Sequence, residues 1–203
     1  MKVVSPEWVN VDEYSPDPTL TLGDQVIFYP NYMPLHSTLT WNDIVPAYQQ
    51  EHNHGDLKLL IPSPYGKSLV IENEIVYDYD DDSHNQPIDL HRSSFIPTFV
   101  THTTQHFNSH IQDILQEAEQ KFNINFVHTY SNLIAESYVF DSHNDPMSIL
   151  LVQCIGQVEY SFKDGTSYIL SPGDALYVPR GIYHKPRIFG PRVTFSYVWH
   201  YSR

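Results

Sequence analysis

The residues best placed to do chemistry in this chain are two histidines and a carboxylate. His143-Asn-Asp145 sets an imidazole and a carboxylate at i and i+2, so on a strand both point to one face. A second histidine, His184, ends the run Leu170-Ser-Pro-Gly-Asp-Ala-Leu-Tyr-Val-Pro-Arg-Gly-Ile-Tyr-His184, where Gly173 and Gly181 permit tight turns and Pro179 stiffens the approach. Two imidazoles and one carboxylate cover one face of an octahedral ion and leave its other positions open, a set that suits a non-haem iron(II) oxygenase. A structural zinc site would instead be closed by four ligands. Taken alone, Asp141-Ser-His-Asn-Asp-Pro146 is also a good surface turn, so the downstream residues have to decide between the two.

The elements that must position these residues read as short strands. After Lys121, apolar runs recur at Asn125 to Val127, Tyr138 to Phe140, Ser148 to Ile155, Val158 to Phe162, Tyr168 to Leu170, Ala175 to Val178 and Val193 to Trp199, separated by Gly, Pro, Asp and Ser. Short strands at such spacing point to a sandwich or barrel. Before them one helix stands out, with Ile111, Ile114, Leu115, Ala118 and Phe122 on one face and a capping box expected from Ser109 and Gln112. Further upstream, Gln25 to Tyr29 reads as a strand and Thr40-Trp-Asn-Asp43 as a helix start. Ser68 to Ile71 and Glu74 to Tyr77 are β-like runs between polar loops.

Composition excludes several classes. With 24 Asp+Glu against 11 Lys+Arg the formal charge is -13, so there is no general attraction to a phosphate backbone or an anionic membrane. A hydrophobic share of 41% excludes a disordered acidic tail. The single cysteine, Cys154, rules out an internal disulfide and a cysteine-based zinc site, and its apolar setting suits a buried, inert thiol. No apolar run reaches signal-peptide or membrane-span length, so a soluble, cytoplasmic protein is expected. No repeat or long linker splits the chain. One domain over 1–203 is expected, with 1–124 packing strands and the helix on a core formed by 125–203.

The segment from Asp141 to Trp199 also resembles a known family. Gly173, five residues, Pro179, one residue, Gly181, two residues, His184 resembles the second cupin motif. The run from His143 is similar to the JmjC and cupin-like (cupin-8 type) branch of iron(II)/2-oxoglutarate-dependent oxygenases, which includes asparaginyl and ribosomal-protein hydroxylases. In that branch His-x-Asp is followed, after an apolar strand, by a glutamine and then a glycine, and Gln153 and Gly156 stand at those offsets. The resemblance implies a mainly β fold, a double-stranded β-helix (jelly-roll or cupin barrel) with a few flanking helices. It implies that His143, Asp145 and His184 bind Fe(II), that 2-oxoglutarate is consumed with dioxygen to give succinate, and that a C–H bond is hydroxylated. The substrate class implied is a protein or other macromolecule, and an acidic chain is compatible with basic partners such as ribosomal proteins.

This sequence departs from the family at one position. Relatives carry Lys or Arg two residues after the glycine to hold the distal carboxylate of 2-oxoglutarate, and here that residue is Val158. Other oxygenases of the fold take the cation from the strand after the distal histidine, which Arg192 opens in this chain. Alternation puts Arg192, Thr194 and Ser196 on one face of that strand, opposite Val193, Phe195 and Tyr197. Arg192 is therefore the expected anchor, with Thr194 and Ser196 beside it and Tyr160, Lys163 and Arg187 as further candidates. Val158 keeps two alternatives open: a cupin-type metal enzyme that does not use 2-oxoglutarate, and a degenerate JmjC-like module that binds a partner without catalysis.

Other motifs carry less. His54-Gly-Asp56, preceded by His52, has no partner motif and reads as a solvated loop. His102, His106 and His110 have helical spacing, but the first two precede the expected helix. The carboxylates of Tyr77-Asp-Tyr-Asp-Asp-Asp82 lack the turn glycine of a calcium loop. Pro64-Tyr-Gly-Lys-Ser68 lacks the first glycine of a phosphate-binding loop, because Ile61 stands there.

Overall fold

The structure is a computed structural model that describes residues 22–54, 57–62, 68–72, 75–78, 96–101, 108–124 and 126–199, of which 50–54, 62, 68–72 and 75–78 are described by backbone alone. Twelve strands and two α-helices follow in the order β1 (Ile27–Tyr29), α1 (Trp41–His54), β2 (Leu57–Pro62), β3 (Ser68–Glu72), β4 (Ile75–Asp78), β5 (Thr98–Thr101), α2 (Ser109–Phe122), β6 (Phe126–Asn132), β7 (Ile149–Ile155), β8 (Val158–Phe162), β9 (Ser167–Leu170), β10 (Ala175–Val178), β11 (His184–Ile188) and β12 (Arg192–Val198). A 3-10 turn over Pro34–Thr38 precedes α1.

The strands form two antiparallel sheets. The large one has the order β1-β10-β7-β12-β6-β5-β2-β3-β4 and the small one β11-β8-β9. The fold is mainly β, a jelly-roll barrel of the double-stranded β-helix type, as the resemblance implies. Its two larger apolar clusters lie on opposite faces of the large sheet. Leu150, Val152, Cys154, Val193, Phe195 and Tyr197 face outward and pack under α1 and α2. Ile149, Leu151 and Val198 face the small sheet and meet Val158, Tyr160, Phe162 and Ile188 in the barrel interior. Side chains alternate along each strand, so Arg192, Thr194 and Ser196 share the interior face with Val198.

The helix α2 forms where its apolar spacing places it, with Ile111, Ile114 and Ala118 fully buried on the sheet. Its cap is one residue earlier than Ser109. The Asn108 side chain accepts from Ile111 N at 2.9 Å, and an Asx cap of this kind stabilises a helix by about 1 kcal/mol. At α1, Thr40 N and Oγ1 both donate to Asp43 Oδ2, at 2.9 and 2.6 Å, fixing the start read from sequence.

Three differences from the sequence reading have physical causes. Tyr138 to Phe140 is not a strand. It runs extended beside β5, tied by Tyr138 N to Ile96 O at 2.8 Å and by Thr98 Oγ1 donating to Tyr138 O. The segment at His184–Ile188 is a strand although it carries Lys, Pro and Arg, because β8 pairs with it in register and Lys185 and Arg187 face outward, with His184, Pro186 and Ile188 buried. His52 and His54 lie in α1 rather than in a loop, while Gly55 and Asp56 fall outside the described residues. His102, His106, residues 63–67 and residues 79–82 also fall outside them. Among the described residues no helix is long and apolar enough to cross a membrane.

Candidate metal centre and its buried arginine

His143, Asp145 and His184 come together at one end of the barrel. Their ligand atoms all lie within 4.8 Å of one another, with His184 Nε2 to Asp145 Oδ2 at 3.5 Å. A reciprocal backbone pair holds the two histidine segments: His143 N donates to His184 O at 3.1 Å and His184 N to His143 O at 2.8 Å. Gly181 N donates to Asp145 O at 2.8 Å, so the turn before β11 pins the carboxylate's backbone.

The hydrogen bonds of the rings fix their tautomers. His143 Nδ1 lies 2.8 Å from Asp141 O, and His184 Nδ1 lies 3.1 Å from Ile182 O. A carbonyl only accepts, so both Nδ1 atoms carry the proton and both Nε2 atoms present a lone pair. That is the arrangement by which outer partners orient histidine ligands for a metal. Burial lowers the pKa of His184, and the neighbouring His143 lowers it further, so the ring is held neutral, the form that binds a cation. The donor set, the open side of the triad and the ring orientations all fit a divalent ion bound on one face, with iron(II) among the metals such a set suits.

Deeper in the same interior lies Arg192, 3% exposed. Its Nε donates to Asn132 Oδ1 at 2.7 Å, and its Nη1 donates to Thr194 Oγ1 at 2.9 Å and more weakly to Tyr160 OH at 3.4 Å. Thr194 Oγ1 donates in turn to Gln153 Oε1 at 2.7 Å, and Gln153 Nε2 donates to the carbonyls of Ile155 and Gly156. Among the described residues Arg192 forms no ion pair. Nor does its Nη2 have a hydrogen-bond partner among them. A buried guanidinium with only neutral partners is short of an anion.

Tyr160 connects the two ends of this interior. Its ring centroid is 6.1 Å from that of His184, and its hydroxyl is the contact to Arg192. It stands two residues, about 7 Å along a strand, from Phe162, which pairs with His184. Tyr160 thus lies between the triad and the arginine, with its ring toward His184 and its hydroxyl on Arg192.

The remaining sequence candidates fall elsewhere. Ser196 is buried on the interior face. Val158 is fully buried in the interior cluster, so no cation reaches in from its position on β8. Lys163 sits 3.2 Å over the Tyr183 ring in the β8–β9 hairpin, and Arg187 points outward to Glu159 Oε2 at 2.7 Å. Neither faces the barrel interior. Cys154 is buried on the helix side of the sheet and burial raises its pKa far above the usual thiol value, so it is inert. His110 lies in α2, with its Nε2 3.2 Å from Thr38 Oγ1.

Sequence reading passed over Asn132, Thr98 and His128. Asn132 Nδ2 donates to Thr98 Oγ1 at 2.6 Å, and both side chains are buried beside Arg192. His128 is buried opposite Ser196 in the β6–β12 pairing, between the rings of Phe126 and Tyr130. Period-two alternation puts His128, Tyr130 and Asn132 on one face of β6, but the strand read from sequence stopped at Val127 and so did not reach them. Gly156 has a local role as well as a place in the motif. At φ +70°, its Cα faces Pro191 O so closely that an added Cβ would lie 2.1 Å from that oxygen. Only glycine lets the β7–β8 turn press against the residue that leads into Arg192.

By sequence the chain matches no protein-family profile and no curated protein. By structure it is similar to YcfD, a ribosomal oxygenase from Escherichia coli, with a TM-score of 0.60 and 13% identity over 88% of this chain and 48% of that one. YcfD in complex with cobalt and 2-oxoglutarate gives a TM-score of 0.61, again with 13% identity, over 88% of this chain and 49% of that one. Its complex with cobalt and succinic acid gives the same four values. This chain thus spans about half the length of YcfD. At such identity the likeness is one of fold alone.

Proposed function

We propose that this protein is an iron(II)- and 2-oxoglutarate-dependent oxygenase that hydroxylates a side chain of a protein or another macromolecule. The observation that carries the reading is the pairing, inside one barrel, of a facial His-Asp-His set with a buried arginine that has no counter-ion among the described residues. In support, the fold is shared with an oxygenase whose structures hold cobalt with 2-oxoglutarate or succinic acid. That YcfD is a ribosomal oxygenase favours a macromolecular substrate.

On this reading, His143 Nε2, His184 Nε2 and one Asp145 oxygen hold the metal, and their backbone hydrogen bonds keep them from turning away. Iron(II), when bound, supplies the oxidative chemistry: 2-oxoglutarate, dioxygen and R–H give succinate, carbon dioxide and R–OH. The chain's own part is placement. Arg192 takes the distal carboxylate, assisted by the Tyr160 hydroxyl, with Thr194 bracing the guanidinium and Ser196 on the same face. Phe140, 4.9 Å from the His143 ring, and Phe162 line the metal end with apolar surface that excludes water.

The test is uncoupled turnover: protein, Fe(II), ascorbate and 2-oxoglutarate, with succinate measured. Succinate formation that disappears in His143→Ala is expected. Metal binding without affinity for 2-oxoglutarate would favour a cupin-type enzyme acting on other substrates, a reading that Val158 supports. Absence of metal binding would leave only a non-catalytic binding module.

A further inference from the structure

We propose that Asn132 is a positioning residue that keeps Arg192 available to a dicarboxylate, orienting the guanidinium without neutralising it, and thereby selects dianionic over monoanionic 2-oxo acids. The inference rests on Arg192 being the co-substrate anchor. Hydrogen-bond directions that the guanidinium itself dictates carry it.

Arginine only donates. Asn132 Oδ1 must therefore accept from Arg192 Nε at 2.7 Å, which orients the amide and makes Nδ2 the donor to Thr98 Oγ1 at 2.6 Å. The Thr98 hydroxyl is left to donate to Tyr138 O. On the other side, Thr194 accepts from Nη1 and must donate to Gln153 Oε1, so Gln153 Nε2 faces the Ile155 and Gly156 carbonyls. Both arms run from the cation to backbone carbonyls, with Asn132, Thr98 and Thr194 buried and each directed contact made. Every member of both arms is neutral.

Asn132 is the place in direct contact with the guanidinium where a carboxylate would fit without a change of volume. Aspartate would accept the same bond, but it would supply an internal counter-ion and remove the reason for an external one. The positive charge that the neutral arms leave in place is what distinguishes 2-oxoglutarate from a monoanion such as 2-oxobutyrate, which lacks the distal carboxylate.

The experiment titrates 2-oxoglutarate and 2-oxobutyrate into the manganese-loaded full chain, for wild type, Asn132→Asp and Asn132→Ala. Wild type should prefer 2-oxoglutarate. Asn132→Asp should weaken 2-oxoglutarate by about 30-fold or more while leaving 2-oxobutyrate unchanged. Asn132→Ala, which loosens the arginine without discharging it, should weaken 2-oxoglutarate only several-fold. A purely structural asparagine predicts the reverse order, because aspartate is the closer isostere, and predicts that both acids weaken together. That reverse order, with wild type binding 2-oxoglutarate, would overturn this inference alone. A wild type that binds manganese but no 2-oxoglutarate would overturn the co-substrate reading and the inference with it. Should Asn132→Asp fail to take up manganese, Gln153→Glu brings a carboxylate into the other arm. It must shift the preference in the same direction, and no shift there would count against the proposal.

Discussion

The two faces of β12 each meet a buried ionisable group, and they treat its charge in opposite ways. On the helix side, Tyr197 OH bonds to His36 Nε2 at 2.7 Å, and His36 Nδ1 bonds to Glu117 Oε2 at 2.9 Å. Lys121 reaches the other Glu117 oxygen at 3.1 Å, and Leu35 N donates to Glu117 Oε2 at 3.2 Å. There the carboxylate has a cation and a fixed set of donors. On the barrel side, Arg192 has comparable burial and well-made hydrogen bonds, yet every partner it has among the described residues is neutral. A compensated buried charge is a fastener between layers: it ties the 3-10 turn, α2 and β12 together. An uncompensated one is costly to the empty fold and useful only when an anion arrives.

The contrast can be broken at either face. The largest effect is expected at the metal end: His143→Ala should abolish stoichiometric manganese binding and all succinate formation, while the far-UV spectrum stays native. Next comes the fastener. Glu117→Gln should destabilise the protein by about 2–3 kcal/mol, measured by urea unfolding, somewhat less than a fully buried pair because Lys121 is partly exposed. Gly156→Ala should then lower 2-oxoglutarate affinity several-fold with metal affinity retained, because the added methyl pushes on Pro191 beside Arg192.

The smallest effect is in the pH profile. Burial lowers the pKa of His36 from 6.5, against the opposing pull of Glu117. Glu117, in spite of burial, is lowered from 4.5 by its bonds to His36 and Lys121. In both cases the unfolded chain binds more protons than the native one, so stability rises with pH. The melting temperature should therefore fall as pH drops below about 6.5, through His36, and fall further below about 4.5, through Glu117. In His36→Gln the slope between pH 7 and pH 5 should be flatter than in wild type. An unchanged slope would show that His36 does not titrate differently on folding.

Much of this was legible in the sequence, for physical reasons that differ by region. His143, Asp145 and His184 lie on two short segments with turn glycines and a proline at fixed offsets, and it was the resemblance of both segments to a known family, rather than either one alone, that singled out the three residues. Arg192 was legible because alternation along β12 separates a polar face from an apolar one, and burial follows that alternation. The wiring around Arg192 was not, since it draws Thr98, Asn132, Gln153, Tyr160 and Thr194 from β5, β6, β7, β8 and β12, and sequence distance hides their contact. The same holds for His36 and Glu117, which are 81 residues apart. Tyr138 to Phe140 misled because an alternating run with aromatic residues satisfies the strand pattern, whereas the segment does not join a sheet ladder and Tyr138 is tied to Ile96 and Thr98. The Ser109 cap missed by one because Asn108 offers the same side-chain oxygen one position earlier.

Whether Arg192 holds an anion is the central question, and titrating 2-oxoglutarate into manganese-loaded wild type and Arg192→Met, side by side, answers it. One site per chain is expected for wild type, with affinity about 100-fold weaker in the variant and manganese affinity unchanged. The ligand-free variant should also melt at a higher temperature, because a buried charge with no counter-ion among the described residues has been replaced by an apolar side chain. Equal affinity for 2-oxoglutarate in the two proteins, with a lower melting temperature for the variant, would contradict the anchoring role and leave Arg192 as a structural residue.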